Sequence, residues 1–569
     1  MLQQPTRVDL ALSADVRLPL SLLTRYLFFL TRRPISQSNA HYLQQRLDGL
    51  KSLAEPLDTV DSPALKEAIA LLRAMNPRTF YQLAERLQLV LFPLASAMAE
   101  IPADVVVSDS PLPRQFWSGF RRILLLFGPA IGIGDEVIFF PLPRWIKAAN
   151  SHADITVLSA YQGLWEQVGD VDQIFHYTEY VTLLRALRGQ APFEGFDIVI
   201  LADFERPDLS PAVCCEPNIP YYVELSSGTQ SSFLVDNRRR WLHRARRALP
   251  YFANYYFGLD NLARWLGLSP TTAGRFSTVM HRTGEPPEHE VRVYVNPFTS
   301  KYDPSEAYWS RLLSSLFSKP PARPVRFVID PGPNPATARF ASGLARSTAA
   351  RTPPGIDFDI VRPQDDRVPS LQKVFAQMER AHVVICSDSF AAHAAPLFNC
   401  TTLVVAGAGL ENWRVPHRSS YYFDADAPIA EVIAGMRQVL KGIAVQEGER
   451  DHHPSLTGAV EQFQAAVRAL QPLLDGELDG NFDTLCETYD TFVKANQAVV
   501  DHLLGRSPEL GALLRDFPYE KPVFGIDNVR SIPEELRQDV VLHLRDRWEQ
   551  WQNTNLYKYL SLMLAEARS

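Results

Sequence analysis

The stretch "LLLFGPAIGIGDEVIFFP", residues 124 to 141, passes from a continuous apolar run into three glycines and then an acid, Asp135. A short apolar run of this kind is typical of a strand that is buried on both faces. Gly128, Gly132 and Gly134 predict a tight turn at the carboxyl end of that strand, where open α/β sheets bind ligands. Asp135 then stands where a helix begins, either as its N-cap or as a chemical group in a site.

Composition sets the outer limits of fold and function. A chain of 569 residues is too long for one hydrophobic core and predicts several folding units. Its 57 basic and 64 acidic residues give a net charge of -7, which provides no general attraction for nucleic acid. The triplet Arg238–Arg240 is expected to be a solvated helix face. Five cysteines without a CxxC pair predict reduced thiols in a cytoplasmic compartment.

Membrane spanning and secretion are not expected from the sequence. No segment reaches about 18 unbroken apolar residues, and the N-terminus lacks the pattern of a signal peptide. Two apolar segments, Leu18 to Leu30 and Leu87 to Met98, are expected to be buried helix faces. Contact with a membrane surface stays open as the alternative for them.

The pattern of apolar and polar residues divides the chain into four parts. Residues 1 to 118 have helical spacing and form a predicted helical N-terminal extension. Residues 119 to 280 and 281 to 447 each alternate short apolar runs with amphipathic stretches, which predicts two α/β domains with parallel, Rossmann-like sheets. Residues 448 to 569 are again helical in pattern.

Nine apolar runs are the predicted strands of these two domains. In the first domain they are Ile123 to Phe127, Ile155 to Leu158, Gln173 to His176 and Phe196 to Leu201. In the second they are Val291 to Val295, Val325 to Ile329, Phe358 to Val361, His382 to Ile385 and Thr402 to Ala406. Strands that alternate with helices indicate a sheet covered on both faces.

Two common nucleotide motifs are disfavoured. The glycines of the opening stretch follow G-x-x-x-G-x-G spacing, whereas a dinucleotide site has G-x-G-x-x-G. The acid that would bind a ribose is also missing, because Tyr161 follows the second predicted strand and no acid appears before Glu166. A P-loop sequence occurs nowhere in the chain.

A second informative stretch is "VVICSDSFAAHAAPLFNCTTLVVAGAG", residues 383 to 409. It predicts a strand, a turn that carries Asp388, Ser389 and His393, a helix of small residues, and another strand. A helix that opens at Ser387 or Asp388 would offer unpaired backbone N–H groups to a phosphate. A capped helix with a buried histidine is the alternative, and the residues alone do not decide between the two.

Together the two stretches resemble the lipopolysaccharide heptosyltransferases, the ninth glycosyltransferase family. "GDEVIFFP" is similar to the N-terminal signature of that family, and "SDSFAAHAAPLFNCTTLVVAGAGLENWRVP" is similar to its C-terminal signature. Between them, "VYVNPFTSKYDPSEAYWSRLLSSL" resembles the family's strand, polar loop and lysine. The chain departs from the pattern at Phe390, where the family usually has glycine. The helical extensions lie outside the resemblance, and a heptose donor is not implied.

The resemblance implies the GT-B fold, in which two Rossmann-like domains face one another across a cleft. It also implies an inverting, metal-independent glycosyltransferase with Asp135 as general base and Lys301 as the cation that neutralises the leaving diphosphate. The donor-binding residues that it implies are Gly134, Thr299, Ser300, Asp388, Ser389, Phe390, His393, Glu411 and Trp413.

The expected substrate is a nucleotide-diphosphate sugar, and no permanently bound cofactor or metal is expected. Asp365 and Asp366 on a proline-flanked loop are expected to be solvated, as are His452 and His453, which have no third ligand nearby. The acceptor is left open among a glycan, a lipid-linked glycan and a protein. Whether the helical extensions contact a membrane surface or further copies of the chain is left open.

A second class of function also stays open at this point. A GT-B-shaped chain that has lost turnover would act as a binding or scaffold protein through its flanking helices. Asp135 and Lys301 favour the enzyme, whereas Phe390 favours the scaffold.

Overall fold

The structure is a computed structural model, and part of the chain is described in it. The described residues are 14–32, 40–98, 105–108, 111–129, 131–202, 218–225, 233–244, 255–270, 286–299, 305–317, 321, 323–332, 335–361, 370–407, 414–415, 417, 419–444, 454–475, 482–504 and single positions between 537 and 552.

The chain forms two compact units. The first unit comprises Met1–Arg247, Gly258–His281 and Ser300–Asp303, and the second comprises Ala248–Phe257, Arg282–Thr299 and Pro304–Ser569. The expected division into four parts is finer than this, and its boundaries stay a prediction.

The first unit begins with four helices and continues with strands and helices. Its elements are α1 (Ala14–Arg32), α2 (Ala40–Ala54), α3 (Pro63–Ala74), α4 (Phe80–Met98), β1 (Val106–Ser108), β2 (Arg122–Phe127), α5 (Ile133–Ile138), α6 (Pro141–Ala149), β3 (Asp154–Ser159), β4 (Gln173–His176), α7 (Val181–Leu187), β5 (Ile198–Ala202), β6 (Tyr221–Leu225), β7 (Phe233–Asp236) and β8 (Trp241–Arg244). Helix α8 (Tyr255–Trp265) is divided between the two units.

The sheet of the first unit has eight strands in the order β1-β8-β7-β6-β5-β2-β3-β4. Strands β6, β5, β2, β3 and β4 run parallel, whereas β7 is antiparallel to both β6 and β8. Strand β2, which the opening stretch predicts, therefore lies inside the sheet between β3 and β5.

Both faces of β2 are covered, as its continuous apolar run predicts. Leu124 and Leu126 belong to a core that they share with helices α1 to α4. On the alternate positions, Phe127 packs against Phe139 and Trp165, with ring centroids 5.7 and 4.9 Å away. Since successive side chains of a strand point to opposite faces, the N-terminal helices cover one face of this sheet.

A buried ion pair joins the N-terminal helices to the sheet. Arg25 of α1 donates from Nη2 to Oε1 of Glu224 on β6 at 2.8 Å, and both side chains are almost fully buried. The hydroxyl of Tyr222 donates to the other oxygen, Oε2, at 3.1 Å. Removal of one partner of such a pair leaves a buried charge without compensation.

The second unit contains six strands and seven helices in its described part. Its elements are β9 (Val291–Asn296), α9 (Glu306–Leu316), β10 (Val325–Ile329), α10 (Pro335–Ala349), β11 (Ile356–Ile360), α11 (Leu371–Glu379), β12 (Val383–Ser387), α12 (Phe390–Ala394), β13 (Thr401–Ala406), β14 (Ser420–Asp424), α13 (Ile429–Ala444), α14 (Pro454–Asp475) and α15 (Phe482–Leu504). The sheet has the order β11-β10-β9-β12-β13-β14, and every pair is parallel.

Two separate apolar cores stabilise the second unit. One core lies between the sheet and helices α9, α10 and α13. The other joins α14 and α15 with aromatic side chains near the C-terminus, where Phe492 packs against Trp548 and Trp551. The described residues after 453 are helical, in agreement with the expected helical C-terminal region.

Serine caps show how the sequence sets several helix starts. Ser62, Ser305 and Ser370 precede α3, α9 and α11, and each side chain accepts a hydrogen bond from the backbone N–H three residues later. A serine in this position satisfies one of the N–H groups that a helix start leaves without a partner.

All nine predicted strands are present, within two residues at each end. Strands β1, β6, β7, β8 and β14 were not predicted, and none of them holds more than three consecutive apolar residues. The expectation for Arg238–Arg240 is wrong in one respect. These residues are exposed, but they lie in the turn between β7 and β8 and not on a helix.

The two apolar segments are helical, and most of their leucines are buried in the shared core of the first unit. Within the described residues, no helix combines the length and the apolar character that crossing a membrane requires.

We expect Arg25→Met to destabilise the first unit by about 3 to 5 kcal/mol, because Glu224 would stay buried without its cation. Thermal unfolding followed by circular dichroism measures this. Lys66→Met is the matched control, since the Lys66–Asp61 pair is exposed and should leave the unfolding temperature unchanged. Equal effects of the two substitutions would contradict the role of the buried pair.

Candidate functional site

The order of the strands places both signature segments at the same kind of position. In the first sheet the chain runs from β2 outward through β3 and β4, and then returns to β5 on the other side of β2. In the second it runs from β9 through β10 and β11, and returns to β12 on the other side of β9. Ligands of open α/β sheets bind at the carboxyl ends of the strands at such a reversal.

Asp135 follows β2 at the reversal of the first sheet. It is buried and is the third residue of helix α5, where its Oδ2 accepts a hydrogen bond from the backbone N–H of Gly132 at 2.8 Å. Gly132, and not Asp135, is the N-cap of the helix. The expected N-cap role of Asp135 is therefore wrong, although its carboxylate supports the helix start through the N–H of Gly132, and its role as a base remains a prediction.

The tight turn expected after β2 is present, since the backbone N–H of Ile131 donates to the carbonyl of Gly128 at 3.1 Å. None of Gly128, Gly132 and Gly134 has a positive φ, so no left-handed turn requires them. A Cβ atom at Gly132 would instead lie 3.1 Å from Oδ2 of Asp135. A larger residue at this position would require the carboxylate of Asp135 to shift by a few tenths of an ångström.

Glu136, which the sequence analysis did not single out, is buried beside Asp135. Its carboxyl group accepts hydrogen bonds from the hydroxyl of Ser159 at 2.8 and 3.0 Å and from Nε1 of Trp165 at 2.7 Å. Burial raises the pKa of Glu136 to about 8, against the opposing effects of Trp165, Ser159 and the charge of Arg46. This carboxyl group is therefore largely neutral at pH 7.

In the second unit, the residues expected to bind the donor meet at the ends of β9 and β12. The hydroxyl of Ser387, the last residue of β12, donates to the backbone carbonyl of Phe298 at 2.8 Å. This bond brings Thr299, which follows Phe298, to the strand end that is continued by Asp388 and Ser389. The structure therefore brings together two segments that are 89 residues apart.

A buried carboxyl group fixes the loop that carries Thr299. Oδ2 of Asp330 accepts hydrogen bonds from the hydroxyl of Tyr294 at 2.5 Å and from Nδ2 of Asn296 at 2.8 Å. Oδ1 of Asn296 in turn accepts from the backbone N–H of Phe298 at 3.1 Å. Burial raises the pKa of Asp330. These contacts set the direction of the loop after β9, and the sequence alone did not reveal them.

Ser389 carries an unsatisfied hydroxyl group. Its Oγ atom is buried, and no hydrogen-bond partner for it exists among the described residues. The expected helix does not open at Ser387 or Asp388, because α12 begins at Phe390 and Ser389 is its N-cap without a side-chain cap. A buried hydroxyl without a protein partner calls for a further partner, such as water, an ion or a ligand.

His393 is buried on α12 and is held by a tyrosine. Its Nδ1 lies 2.9 Å from the hydroxyl of Tyr256, and the two rings are stacked with centroids 6.0 Å apart. Tyr256 belongs to the second unit although it is 137 residues away from His393 in sequence. The hydrogen bond and the stacking together fix the plane of the imidazole.

Two further side chains define the surroundings of this segment. Phe390, which replaces the usual glycine, packs edge to face toward Phe375 of α11, with ring centroids 6.4 Å apart. Arg414 is buried, and its guanidinium lies 4.9 Å from the ring centroid of Tyr422. Burial raises the pKa of Tyr422, and the charge of Asp388 adds to this rise. Arg414 was not predicted, since a single arginine in a loop has no sequence signal.

Four of the predicted site residues lie outside the described residues, namely Ser300, Lys301, Glu411 and Trp413. The same holds for Asp365, Asp366, His452 and His453. Gly134 and Asp135 are in the first unit, whereas Thr299, Asp388, Ser389, Phe390 and His393 are in the second. No group of three metal-ligating side chains occurs within the part of the chain that the structure describes.

We expect Gly132→Ala to lower the unfolding free energy of the first unit by about 1 kcal/mol, because the added methyl group displaces Oδ2 of Asp135 from its hydrogen bond. Gly119→Ala is the matched control, since its Cβ would meet no atom within 4 Å. Denaturant unfolding compares the two variants. An equal or smaller loss for Gly132→Ala would show that the close approach does not constrain this position.

Glu136→Gln should change how stability depends on pH. Between about pH 4.5 and 8 the folded carboxyl group stays protonated while the unfolded one ionises, so this group makes the wild type lose stability as pH rises. Glutamine has no such ionisation. The melting temperature of Glu136→Gln relative to wild type should therefore rise from pH 5 to pH 8. Glu67→Gln, at an exposed position, is the control, and parallel melting curves for Glu136→Gln and wild type would contradict the expectation.

Comparison with known proteins gives distant structural neighbours. No protein-family model matches the chain, and no curated protein matches it. A family 9 glycosyl transferase from Veillonella parvula has a TM-score of 0.41 at 12% identity, over 59% of this chain and 98% of its own.

Two enzymes from E. coli are similar to the same degree. The heptosyltransferase WaaC with ADP-2-deoxy-2-fluoro heptose has a TM-score of 0.40 at 15% identity, over 57% of this chain and 100% of its own. ADP-heptose lps heptosyltransferase II has a TM-score of 0.38 at 12% identity, over 57% of this chain and 99% of its own. The solved structures that this chain resembles thus include heptosyltransferases and a family 9 glycosyltransferase, the family whose signatures its sequence resembles.

Proposed function

We propose that this chain is a glycosyltransferase that moves a sugar from a nucleotide-diphosphate sugar to a hydroxyl group of an acceptor. The observation that carries the proposal is the buried hydroxyl of Ser389, which has no partner among the described residues. It follows β12 at the reversal of strand order, beside the loop of Thr299, in the segment that resembles the donor-binding signature.

In this proposal the second unit holds the donor. Ser389 and Thr299 offer hydroxyl groups, and His393, oriented by Tyr256, offers a ring nitrogen to the donor. Asp388 contributes a carboxylate at the same strand end. The resemblance adds Ser300, Lys301, Phe390, Glu411 and Trp413 as donor contacts, with Lys301 as the cation that neutralises the leaving diphosphate.

Asp135 is the proposed general base, with Gly134 beside it. Its carboxylate takes the proton of the acceptor hydroxyl while the hydroxyl oxygen forms a bond to the anomeric carbon. The bond from that carbon to the diphosphate oxygen breaks, and its electron pair leaves with the nucleoside diphosphate. Attack opposite the leaving group inverts the anomeric configuration. Because Lys301 supplies the positive charge, this route needs no metal ion.

The class of donor and acceptor follows from this chemistry. The donor is a sugar linked through its anomeric carbon to a nucleoside diphosphate. The acceptor is a glycan, a lipid-linked glycan or a protein that presents a hydroxyl group. We propose a cytoplasmic location, as the reduced thiols expected from the cysteine pattern indicate.

Asp135→Asn provides the test, since the amide oxygen retains the hydrogen bond from Gly132 but cannot take up a proton. Purified protein is incubated with a panel of nucleotide sugars that includes ADP-sugars, and nucleoside diphosphate release is measured with cell extract as the source of acceptor. We expect the rate to fall by about 10² to 10⁴, with unchanged nucleotide binding.

Asp154→Asn, an exposed carboxylate of the same unit, is the control and should keep full activity. A thermal-shift screen measures nucleotide binding, because a ligand that binds only the folded state raises its melting temperature. Wild-type protein that binds nucleotides without turnover of any donor would contradict the proposal and favour the scaffold alternative.

A further inference from the structure

A buried arginine of the N-terminal helices reaches the first unit's candidate site. Arg46 lies on α2 and is 7% exposed. It donates from Nη2 to the hydroxyl of Tyr161 at 2.9 Å and from Nη1 to the hydroxyl of Tyr180 at 3.3 Å. A buried guanidinium is costly unless its N–H groups are paired, so this placement is specific.

Helix α2 is fixed tightly against the segment that contains Tyr180. A Cβ atom at Gly49 would lie 2.5 Å from the ring of Tyr180, so no larger residue fits there without a shift. One turn later, the hydroxyl of Ser52 accepts the backbone N–H of Tyr180 at 3.1 Å. The position of Arg46 is thus set by its helix and not only by its own hydrogen bonds.

Tyr161 connects Arg46 to the loop before Asp135. Its hydroxyl, which accepts from Arg46, donates to the backbone carbonyl of Ile131 at 3.0 Å. Ile131 is buried and stands four residues before Asp135, immediately before the N-cap of α5. A chain of two hydrogen bonds therefore links α2 to the loop of the proposed base.

The segment that contains Tyr161 also holds Glu136, the residue that follows Asp135. The backbone N–H of Tyr161 donates to the hydroxyl of Ser159 at 3.0 Å, and that hydroxyl donates to the carboxyl group of Glu136. Nε1 of Trp165 donates to the same carboxyl group. Ile131 and Glu136, on either side of Asp135, are thus both held by residues that follow β3 or lie at its end.

The titratable and charged groups around this network are Arg46, Asp135 and Glu136, with the hydroxyl groups of Tyr26, Tyr177 and Tyr180. The positive charge of Arg46 opposes the effect of burial on the pKa of Glu136, whereas Asp135 adds to it. Arg46 is therefore close enough to act electrostatically on the carboxyl group of Glu136.

We propose that Arg46 and Tyr161 are positioning residues for Asp135. Through these two residues the N-terminal helices contribute to catalysis. This rests on the proposed function, in which Asp135 is the general base. Since a misplacement of about 1 Å can cost a hundredfold in rate, a hydrogen-bonded anchor on the loop has a direct effect on the reaction.

Tyr161→Phe and Arg46→Met test the proposal in the full-length protein. Tyr161→Phe keeps the ring and removes only the hydroxyl between Arg46 and Ile131, so it stays informative if Arg46→Met fails to fold. Tyr81→Phe removes a hydroxyl from an exposed tyrosine of α4 and is the matched control. Hydrogen–deuterium exchange of the peptide that contains residues 131 to 136 is measured together with kcat and the donor KM.

We expect amide exchange in this peptide to rise by about tenfold in both variants, as the loss of one buried hydrogen bond implies, and to stay unchanged in Tyr81→Phe. We expect kcat to fall at least about tenfold while the donor KM stays within about twofold, because the anchor acts on the base and not on the donor. A purely structural role would lower the amount of folded protein without this separation of kcat from KM.

Unchanged exchange in Tyr161→Phe would overturn the proposal, and so would faster exchange with unchanged kcat. Wild-type protein that consumes no donor would overturn the proposed function instead. In that case the exchange measurement decides by itself whether Arg46 and Tyr161 hold the segment.

Discussion

The reversal of strand order in each sheet is the constraint on which the candidate site depends. In both units one inner strand, β2 or β9, lies between neighbours that the chain reaches in opposite directions along the sheet. The connections that leave such a strand and its later neighbour diverge, so the carboxyl ends of the two strands stay uncovered. Both signature segments start at these ends. The fold thus places both loops at a reversal of strand order, the loop of Asp135 after the inner strand β2 and that of Ser389 after β12, the strand on the other side of β9.

Buried polar contacts then fix the conformation of these loops. The Asp330 carboxyl group directs the loop after β9, and Ser387 holds that loop against the end of β12. In the first unit, Arg25 and Arg46 project from the N-terminal helices into the sheet and its loops. Such groups are costly when they lose a partner, which disfavours alternative packings of the same helices. The helices that precede the first sheet are therefore joined to the site by charge and not only by apolar burial.

The sequence predicted those features that arise from local patterns. Continuous apolar runs located nine strands, and the signature segments located Asp135, Ser389 and His393 at strand ends. Strands β6, β7 and β8 were missed because their apolar stretches are short and strand formation there depends on pairing with the neighbouring strands. Glu136, Tyr256 and Arg46 were missed for a related reason. Each acts through a partner that folding brings near, and no spacing along the chain records that partner.

A crystal structure of the protein with a bound nucleoside diphosphate tests the central claim most directly. The account predicts that the nucleotide lies at the carboxyl ends of β9 and β12 and that the hydroxyl of Ser389 forms a hydrogen bond to it. A nucleotide bound at another place, with Ser389 still without a partner, would contradict the account.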